Sequence, residues 1–245
     1  MFFLSAYRRH PEFRQGFFDM LSVAPGIAAW GLMTGVAMAK SGMTTVEALA
    51  MSLLVFAGSS QLAAIPLLLA GAPMWIILAT AFCVNLRFVV FSAHMRPFVM
   101  HLPRWQRLVT GYFTADLTYV LFVKRFAKPA EDEEGRAAQM AYLAGNGSIN
   151  WFSWVIFSVL GVILANFIPT AWGLGFAGVL ALTGILCSLA TSRLRWVSAG
   201  LAGTAAVAAF ALPLKLNILV AIAAAVGLCL LLEKLPSQAP SVEAP

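Results

Sequence analysis

Two charged side chains lie within the most hydrophobic parts of the chain. Arg87 follows Asn85 in one long apolar run, and Asp116 lies near the middle of the next one. A charge at the centre of a bilayer costs at least about 2.5 kcal/mol unless it is paired, protonated or solvated, so such residues mark ligand or ion pathways. We therefore expect a protein-lined site within the membrane, where Asp116 pairs with Arg87 or carries a proton.

The spacing of Asn85 and Arg87 limits what they can do together. Two residues span about 200° around a regular α-helix, so these side chains leave from different faces. The spacing predicts either a helix that is unwound near Leu86 or an Arg87 side chain that extends to the nearer membrane interface. The Arg87 charge then anchors the helix or pairs with Asp116, and Asn85 is left to contact a ligand.

Helix-breaking residues interrupt the two preceding apolar runs. Proline removes a backbone donor and clashes with the preceding turn, so Pro25-Gly26 predicts a break in the first run, and a Gly-Ser-Ser-Gln segment followed by Pro66 predicts one in the second. Discontinuous helices of this kind form transporter substrate sites. Close helix packing, as at Gly31 and Gly35, is an equally good explanation. The candidate substrate-binding residues are Pro25, Gly26, Gly58, Ser59, Ser60, Gln61 and Asn85.

The composition predicts the fold that holds these residues. Hydrophobic residues make up 61% of the 245, charged residues 11%, and the mean hydropathy is +0.86, whereas soluble domains have roughly 25% charged residues. Apolar runs of about 20 residues cross a bilayer as helices. We expect an all-α, polytopic bundle of seven or eight transmembrane helices, the first two discontinuous and the short fourth and seventh tilted, half-length or re-entrant. The candidate runs are 17–39, 47–70, 73–93, 107–123, 140–166, 171–191, 196–212 and 214–232.

The chain is expected to form one transmembrane domain, residues 1–235, followed by a disordered Pro-rich tail, 236–245. With eight crossings, ten Lys and Arg residues lie on the side of the N-terminus and five on the other. Basic loops stay in the cytoplasm, so the N-terminus is predicted to be cytoplasmic. The orientation reverses if the fourth run does not cross.

Several function classes are excluded by what the sequence contains. The net charge of +6 follows from the basic loops, and no soluble domain is predicted that could bind nucleic acid. The cysteines and histidines have no metal-ligand spacing. No Walker-type loop or nucleophile elbow occurs. We therefore expect neither an enzyme nor a bound metal or cofactor.

The segments around these candidate residues resemble the AzlC family of branched-chain amino acid permeases, also called azaleucine-resistance proteins. The matching segments are Gly16, Pro25-Gly26, Met51-Ser52, Phe56 to Gln61, Gly71-Ala72 and Asn85-Leu86-Arg87, and the likeness is densest over residues 13–122. The family often has an Asp-Glu pair before an aromatic residue. Here the corresponding segment is Asp116-Leu117-Thr118-Tyr119, which leaves Asp116 as its sole carboxylate.

The resemblance implies an exporter of branched-chain L-amino acids in the bacterial inner membrane, driven by the proton-motive force and assembled with a small AzlD-type membrane subunit. It places the family's motif role on Gly58, Ser59, Gln61, Asn85 and Arg87. Two alternatives remain at this stage: the permease half of an ATP-driven transporter, and a non-transporting membrane scaffold.

A hypothesis for how a substrate is bound goes beyond the family motif. We expect Ser59, Ser60 and Gln61, with the broken backbone, to bind its amino and carboxylate groups. A pocket for the aliphatic side chain is expected from Trp30, Met33 and Phe56.

Overall fold

A computed structural model describes residues 5–167 and 193–212 and part of 216–228. Within these ranges the regular secondary structure is entirely helical, which confirms the all-α class. The predicted run 171–191, most of the run 214–232 and the tail 236–245 lie outside the described residues. The helices are α1 (Ser5–Arg9), α2 (Pro11–Lys40), α3 (Thr45–Ala50, continued by a π-helical turn, Met51–Val55), α4 (Gly58–Leu69), α5 (Met74–Val99), α6 (Arg104–Phe113), α7 (Asp116–Arg125), α8 (Glu133–Leu164) and α9 (Arg193–Ala208).

Only α2, α5 and α8, among the helices described, are long and apolar enough to cross a membrane. α2 and α8 pack side by side in the same direction. A Cβ atom at Gly16 would overlap the carbonyl of Tyr142, and one at Gly35 would overlap the carbonyl of Ser158. Small residues thus let the two backbones touch, as is usual between membrane helices. We call the side on which α2 begins side A and the opposite side B.

Residues 45–69 form a re-entrant hairpin, hairpin 1, that enters from side B. Ala48 and Ile65, one from each arm, pack in one cluster with Met38 and Val162 near the side B ends of α2 and α8. Between the arms, Phe56 packs beside Trp154 in the middle of α8. Phe56 has a left-handed backbone (φ 41°, ψ 42°), and α4 then runs back towards side B. The predicted break in the second run is confirmed, but the prediction that this run crosses is wrong.

Residues 104–125 form hairpin 2, which enters from side A. Leu102 and Phe122, at the base of its arms, pack in one cluster with Tyr142 near the start of α8. The tip lies at Thr114 and Ala115, and Phe113 beside it contacts the Trp151 ring. The fourth run therefore takes the re-entrant form that its short length allowed. Between residues 11 and 164, the helices with the length and hydropathy of a crossing helix are α2, α5 and α8.

The prediction of a break in the first run is wrong. α2 continues through Pro25 as one helix of 30 residues. A proline interrupts only one backbone hydrogen bond, which membrane helices tolerate when neighbouring helices support them. Ala24, Ile27 and Ala28 beside it are buried, whereas Pro25 is exposed. Packing on both sides of the proline therefore keeps α2 continuous.

The two hairpins make an inverted repeat. α2 crosses from A to B and is followed by hairpin 1 from side B, and α5 crosses from B to A and is followed by hairpin 2 from side A. Inverted repeats of this kind place a site near the middle of the bilayer, between the repeats. The tips of both hairpins meet there, against the middle of α8.

Candidate substrate site between the hairpin tips

The two hairpin tips are joined through Tyr112. Its ring centroid lies 5.7 Å from that of Phe56, and its hydroxyl donates to the carbonyl of Leu53 in hairpin 1. The indole Nε1 of Trp151 in turn donates to the Tyr112 hydroxyl over 3.1 Å. Tyr112 of hairpin 2 thus links the tip of hairpin 1 to α8.

Each tip presents the start of a helix to the middle of the membrane. α4 begins at Gly58 after Ala57, and α7 begins at Asp116 after Ala115, and neither has a side-chain cap. The first-turn N–H groups of a helix have no partner within it and carry a partial positive charge. Asp116 places a carboxylate at the start of α7, whereas the first turn of α4 contains no acidic residue.

Arg87 connects the two helix starts. Its Nε lies 2.9 Å from Oδ1 of Asp116, and its Nη2 donates to Oγ of Ser59 over 2.6 Å. The Nε–H is buried and, within the described part of the chain, makes no hydrogen bond of acceptable geometry. The contact with Asp116 is therefore held by charge, and the Nε–H remains available to a ligand.

The outcome for Asn85 and Arg87 differs from both sequence-based alternatives. α5 is one helix through Leu86, and the Arg87 side chain reaches the hairpin tips rather than the membrane interface. Asn85 accepts a hydrogen bond from Ser60 through its Oδ1 (2.9 Å), one residue from the Ser59 that Arg87 contacts. Asn85 and Arg87 leave different faces of α5, yet both contact α4. The arginine side chain is long enough for its guanidinium to reach around α5 to Ser59.

A cavity of about 250 Å³ lies between the tips. This is below the roughly 300 to 1,000 Å³ of pockets for drug-sized ligands, and it suits a smaller molecule. Its polar groups come from Arg87, Asp116 and Asn150, and the rest of the wall is apolar or aromatic. The lining residues are Ile27, Trp30, Phe56, Ala57, Gly58, Arg87, Phe88, Ala115, Asp116, Leu117, Asn150 and Trp154.

Trp154 is the part of this wall that the sequence interpretation missed. Its ring lies against Gly58, where a Cβ atom would overlap the indole, and it meets Trp30 edge to face at 5.6 Å. Its Nε1 is buried and has no partner among the described residues. Asn150 was missed as well, although an asparagine inside an apolar run was a signal of the same kind as Asn85.

Other predicted site residues lie away from the cavity. Gln61 is fully buried and faces α2, where its Nε2 donates to Sδ of Met38 over 3.7 Å. Pro25, Gly26 and Met33 do not line the cavity either. Because α2 stays helical, the unwound backbone on which the predicted role of Pro25 and Gly26 depended is not present.

A second, larger cavity of about 870 Å³ adjoins the first. The two share Phe56, Ala57, Phe88 and Ala115 as lining residues. From this shared wall the larger cavity, which we call the vestibule, extends between α5 and α6 to Arg96 and Arg107 near side A. The small cavity thus lies at the inner end of a vestibule.

The fold defines a polytopic α-helical membrane protein, and the following family match supports a role as a transporter or permease. Comparison with known proteins agrees: the model of the family described as "AzlC protein" matches residues 22–168. The chain belongs to the AzlC family. It is similar to "Inner membrane protein YgaZ" of Escherichia coli (strain K12), with 25% identity over 211 residues that cover 83% of this chain and 84% of that protein. No solved structure matches the chain.

Proposed function

We propose that this protein exports branched-chain and similar aliphatic L-amino acids through the cavity between the hairpin tips. The observation that carries the proposal is the pairing of opposite charges in a small apolar cavity. An open helix start and Arg87 provide positive charge, and Asp116 provides negative charge. A free amino acid with an aliphatic side chain has the matching features: one carboxylate, one ammonium and one apolar group.

The substrate carboxylate binds at the start of α4, where Arg87 and the unpaired backbone N–H groups favour an anion. The ammonium group binds at Asp116, and aromatic rings around it add a cation–π attraction. Ile27, Phe88 and Leu117 contact the aliphatic side chain. Because the carboxylate competes with Asp116 for Arg87, substrate binding loosens the contact between α5 and hairpin 2.

The distribution of basic residues supports a cytoplasmic side A. Lys40 is at the side B end of α2, whereas the other basic residues outside the membrane interior in 5–167 are all near side A. The second and fourth runs both turn back, so the basic segment 96–136 stays on the side of the N-terminus and the predicted orientation does not reverse. Basic segments remain in the cytoplasm, so we expect the N-terminus and the vestibule to face the cytoplasm. Substrate then enters from the vestibule, as export requires. The basic residues near side A are Arg8, Arg9, Arg14, Arg96, Arg104, Arg107, Lys124, Arg125, Lys128 and Arg136.

Energy coupling and assembly complete the proposal. Asp116 is the ionisable group of the cavity that can exchange a proton for the ammonium group of the substrate, which makes the exporter a proton antiporter. The family resemblance further implies a small AzlD-type membrane subunit as the partner of this chain. We expect the transporter in the bacterial inner membrane, where the proton-motive force is available.

The test is efflux of labelled valine, leucine and isoleucine from preloaded cells that express this chain with and without the small subunit. We expect efflux only with both subunits, collapse of efflux by a protonophore, and persistence after ATP depletion while the proton gradient is maintained. Asp116→Asn should abolish gradient-driven efflux. Dependence on ATP instead of the gradient would contradict the proposed coupling, and absence of efflux with both subunits would contradict the substrate class.

A further inference from the structure

A second feature of the site is a file of buried polar side chains along α8. Tyr142, Asn146 and Asn150 follow each other at intervals of four residues and therefore lie on one face of the helix. All three are at most 4% exposed. The file begins near side A and ends at the cavity, which Asn150 lines.

At side A the file ends on a carboxylate of α2. The Tyr142 hydroxyl donates to Oδ2 of Asp19 over 2.8 Å, and Nε2 of Gln15 donates to Oδ1 of Asp19 over 2.7 Å. Arg125 of α7 interacts electrostatically with both Asp19 and Tyr142, and is itself paired with Glu12 at 2.7 Å. Asp19 is partly exposed. It lies about two turns from the side A end of α2.

Asn146 is the middle of the file, and its polar atoms lack a well-formed hydrogen bond among the described residues. The side chain is fully buried beside the Tyr142 hydroxyl, yet neither Nδ2 nor Oδ1 makes a hydrogen bond of acceptable geometry with a described residue. Buried polar atoms in proteins have a partner, and an ordered water commonly provides it. A water at Asn146 would link Tyr142 to the next turn of α8.

The inner end of the file opens into the cavity that Asp116 lines. Asn150 and Asp116 both line that cavity, and Nδ2 of Asn150 is held by a hydrogen bond to Oγ1 of Thr118 in α7 over 3.0 Å. The wall towards the vestibule is different, because Phe56, Phe88 and two alanines form it. Apolar side chains cannot relay a proton. Along the file, in contrast, hydroxyl groups and water can do so.

We propose that Asp19, Tyr142, Asn146, Asn150 and Thr118 form a proton route between side A and Asp116, separate from the substrate path through the vestibule. The route rests on the proposed proton-coupled export. Protonated Asp116 releases one proton towards the file, each water or hydroxyl accepts one proton and passes one on, and the Asp19 carboxylate accepts the last and releases it to the cytoplasm. The asparagine amides position water and do not themselves change protonation. Arg87 faces Asp116, and Arg125 and Glu12 lie near Asp19.

The transport test uses proteoliposomes that contain both subunits. We compare Asp19→Asn and Asn146→Leu with wild type, and use Glu12→Gln as a control that removes an acid at the same end of α2 outside the file. Removal of a proton-transfer group typically costs a factor of about 100, and we expect that loss in pH-gradient-driven valine transport for the two file variants. Valine–valine exchange without a gradient, which needs no net proton movement, should remain near wild type. Glu12→Gln should retain both activities.

Gradient-driven transport that survives in Asp19→Asn, with wild type active, overturns the route and leaves the proposed export intact. A loss of exchange together with gradient-driven transport in both file variants also overturns it, because the residues then support the fold or the substrate site. A second measurement does not need the substrate. The infrared carboxyl band of Asp116 is assigned by its loss in Asp116→Asn. After a pH jump on side A, this band should change more slowly in Asp19→Asn than in wild type. If wild type moves no valine, the proposed function fails, and the infrared rates alone decide the route.

Discussion

The two hairpins have the same architecture and opposite chemistry at their tips. Each consists of two short arms and starts its second helix in the middle of the membrane without a side-chain cap. In hairpin 1 that helix begins with Gly58, which leaves room for Trp154 and provides no charge. In hairpin 2 it begins with Asp116, which places a carboxylate at the corresponding position. One tip is thus able to bind an anion, and the other already carries one.

This difference explains why the site needs Arg87 from a third element. The partial positive charge at a helix start repels an arginine side chain. The Asp116 carboxylate offsets this charge at the start of α7, so only the start of α4 still repels Arg87. Arg87 contacts Asp116 on one side and Ser59 on the other, so it is held between the tips rather than bound entirely to one. An inverted repeat therefore yields an asymmetric site suited to an asymmetric ligand.

The largest effect is expected from filling the space that hairpin 1 keeps open. Gly58→Ala should lower valine transport by about a hundredfold, because a Cβ atom there overlaps the Trp154 ring and displaces either the ring or the start of α4. The control is Gly111→Ala in hairpin 2, where a Cβ atom meets no atom within 4 Å. Transport rates of both variants, normalised to membrane expression, test the prediction. Equal rates would show that the open tip is unimportant.

Removing the charge from hairpin 2 should have the next largest effect. Truncating one partner of a buried charge pair typically costs about 2 to 5 kcal/mol. The Asp116 side chain is 39% exposed and that of Arg87 18%, so the cost is smaller here, and Asp116→Asn and Arg87→Gln should each reduce substrate affinity by about tenfold. Exchange of the charges, Arg87→Asp with Asp116→Arg, should recover part of the loss if the pair itself matters. Binding of labelled valine to purified protein measures this. Absence of any recovery would count against a pairing role.

Uncoupling the tips from each other should have a smaller effect. Tyr112→Phe keeps the ring contact with Phe56 and removes two hydrogen bonds, the one donated to the Leu53 carbonyl and the one accepted from Trp151. At these exposed positions the two bonds together are worth about 1 kcal/mol, or about a fivefold change. Exchange kinetics should change by that factor. Tyr119→Phe is the matched control, since its hydroxyl pairs with His94 of α5 and does not connect the hairpins. A similar change in both variants would assign the effect to hydroxyl loss in general.

The smallest effect, on thermal stability, is expected from changing the residues that cap the first helix of hairpin 1. Thr44 and Glu47 form a capping box at the start of hairpin 1, whereas the helix that starts hairpin 2 follows Pro103 and has no side-chain cap. The backbone and hydroxyl hydrogen bonds from Thr44 lower the pKa of Glu47 below its usual value. The stabilisation is therefore complete above the unfolded pKa of about 4.3 and is lost as the pH falls through the lower, folded value.

Glu47→Gln should consequently lower the melting temperature slightly at neutral pH. Below the folded pKa of Glu47, the variant and wild type should melt together. Thermal unfolding in detergent at both pH values measures the difference. Glu131→Gln, in the connection before α8, serves as a control for removing one exposed acid. A difference between Glu47→Gln and wild type that persists in acid would contradict the capping explanation.

Part of this arrangement was predictable from particular residues. The cost of a charge in lipid identified Arg87 and Asp116, and the Gly-Ser-Ser-Gln segment identified the break in the second run. The same reasoning was wrong for Pro25. Packing of α2 against α8 keeps that helix continuous, and a local sequence pattern does not include the contribution of a neighbouring helix.

The sequence by itself determined that the chain is helical and lies in a membrane, because apolar composition and unsatisfied backbone groups leave few other folds. It also determined which polar residues needed an explanation. Only the tertiary structure decided that the second and fourth runs turn back instead of crossing. Their length and hydropathy suit a crossing helix as well, and the reversal depends on two residues at each tip and on packing against α8. The tertiary structure likewise brought Ile27, Asn150 and Trp154 to the cavity from distant parts of the chain, since such contacts depend on how helices pack rather than on local pattern.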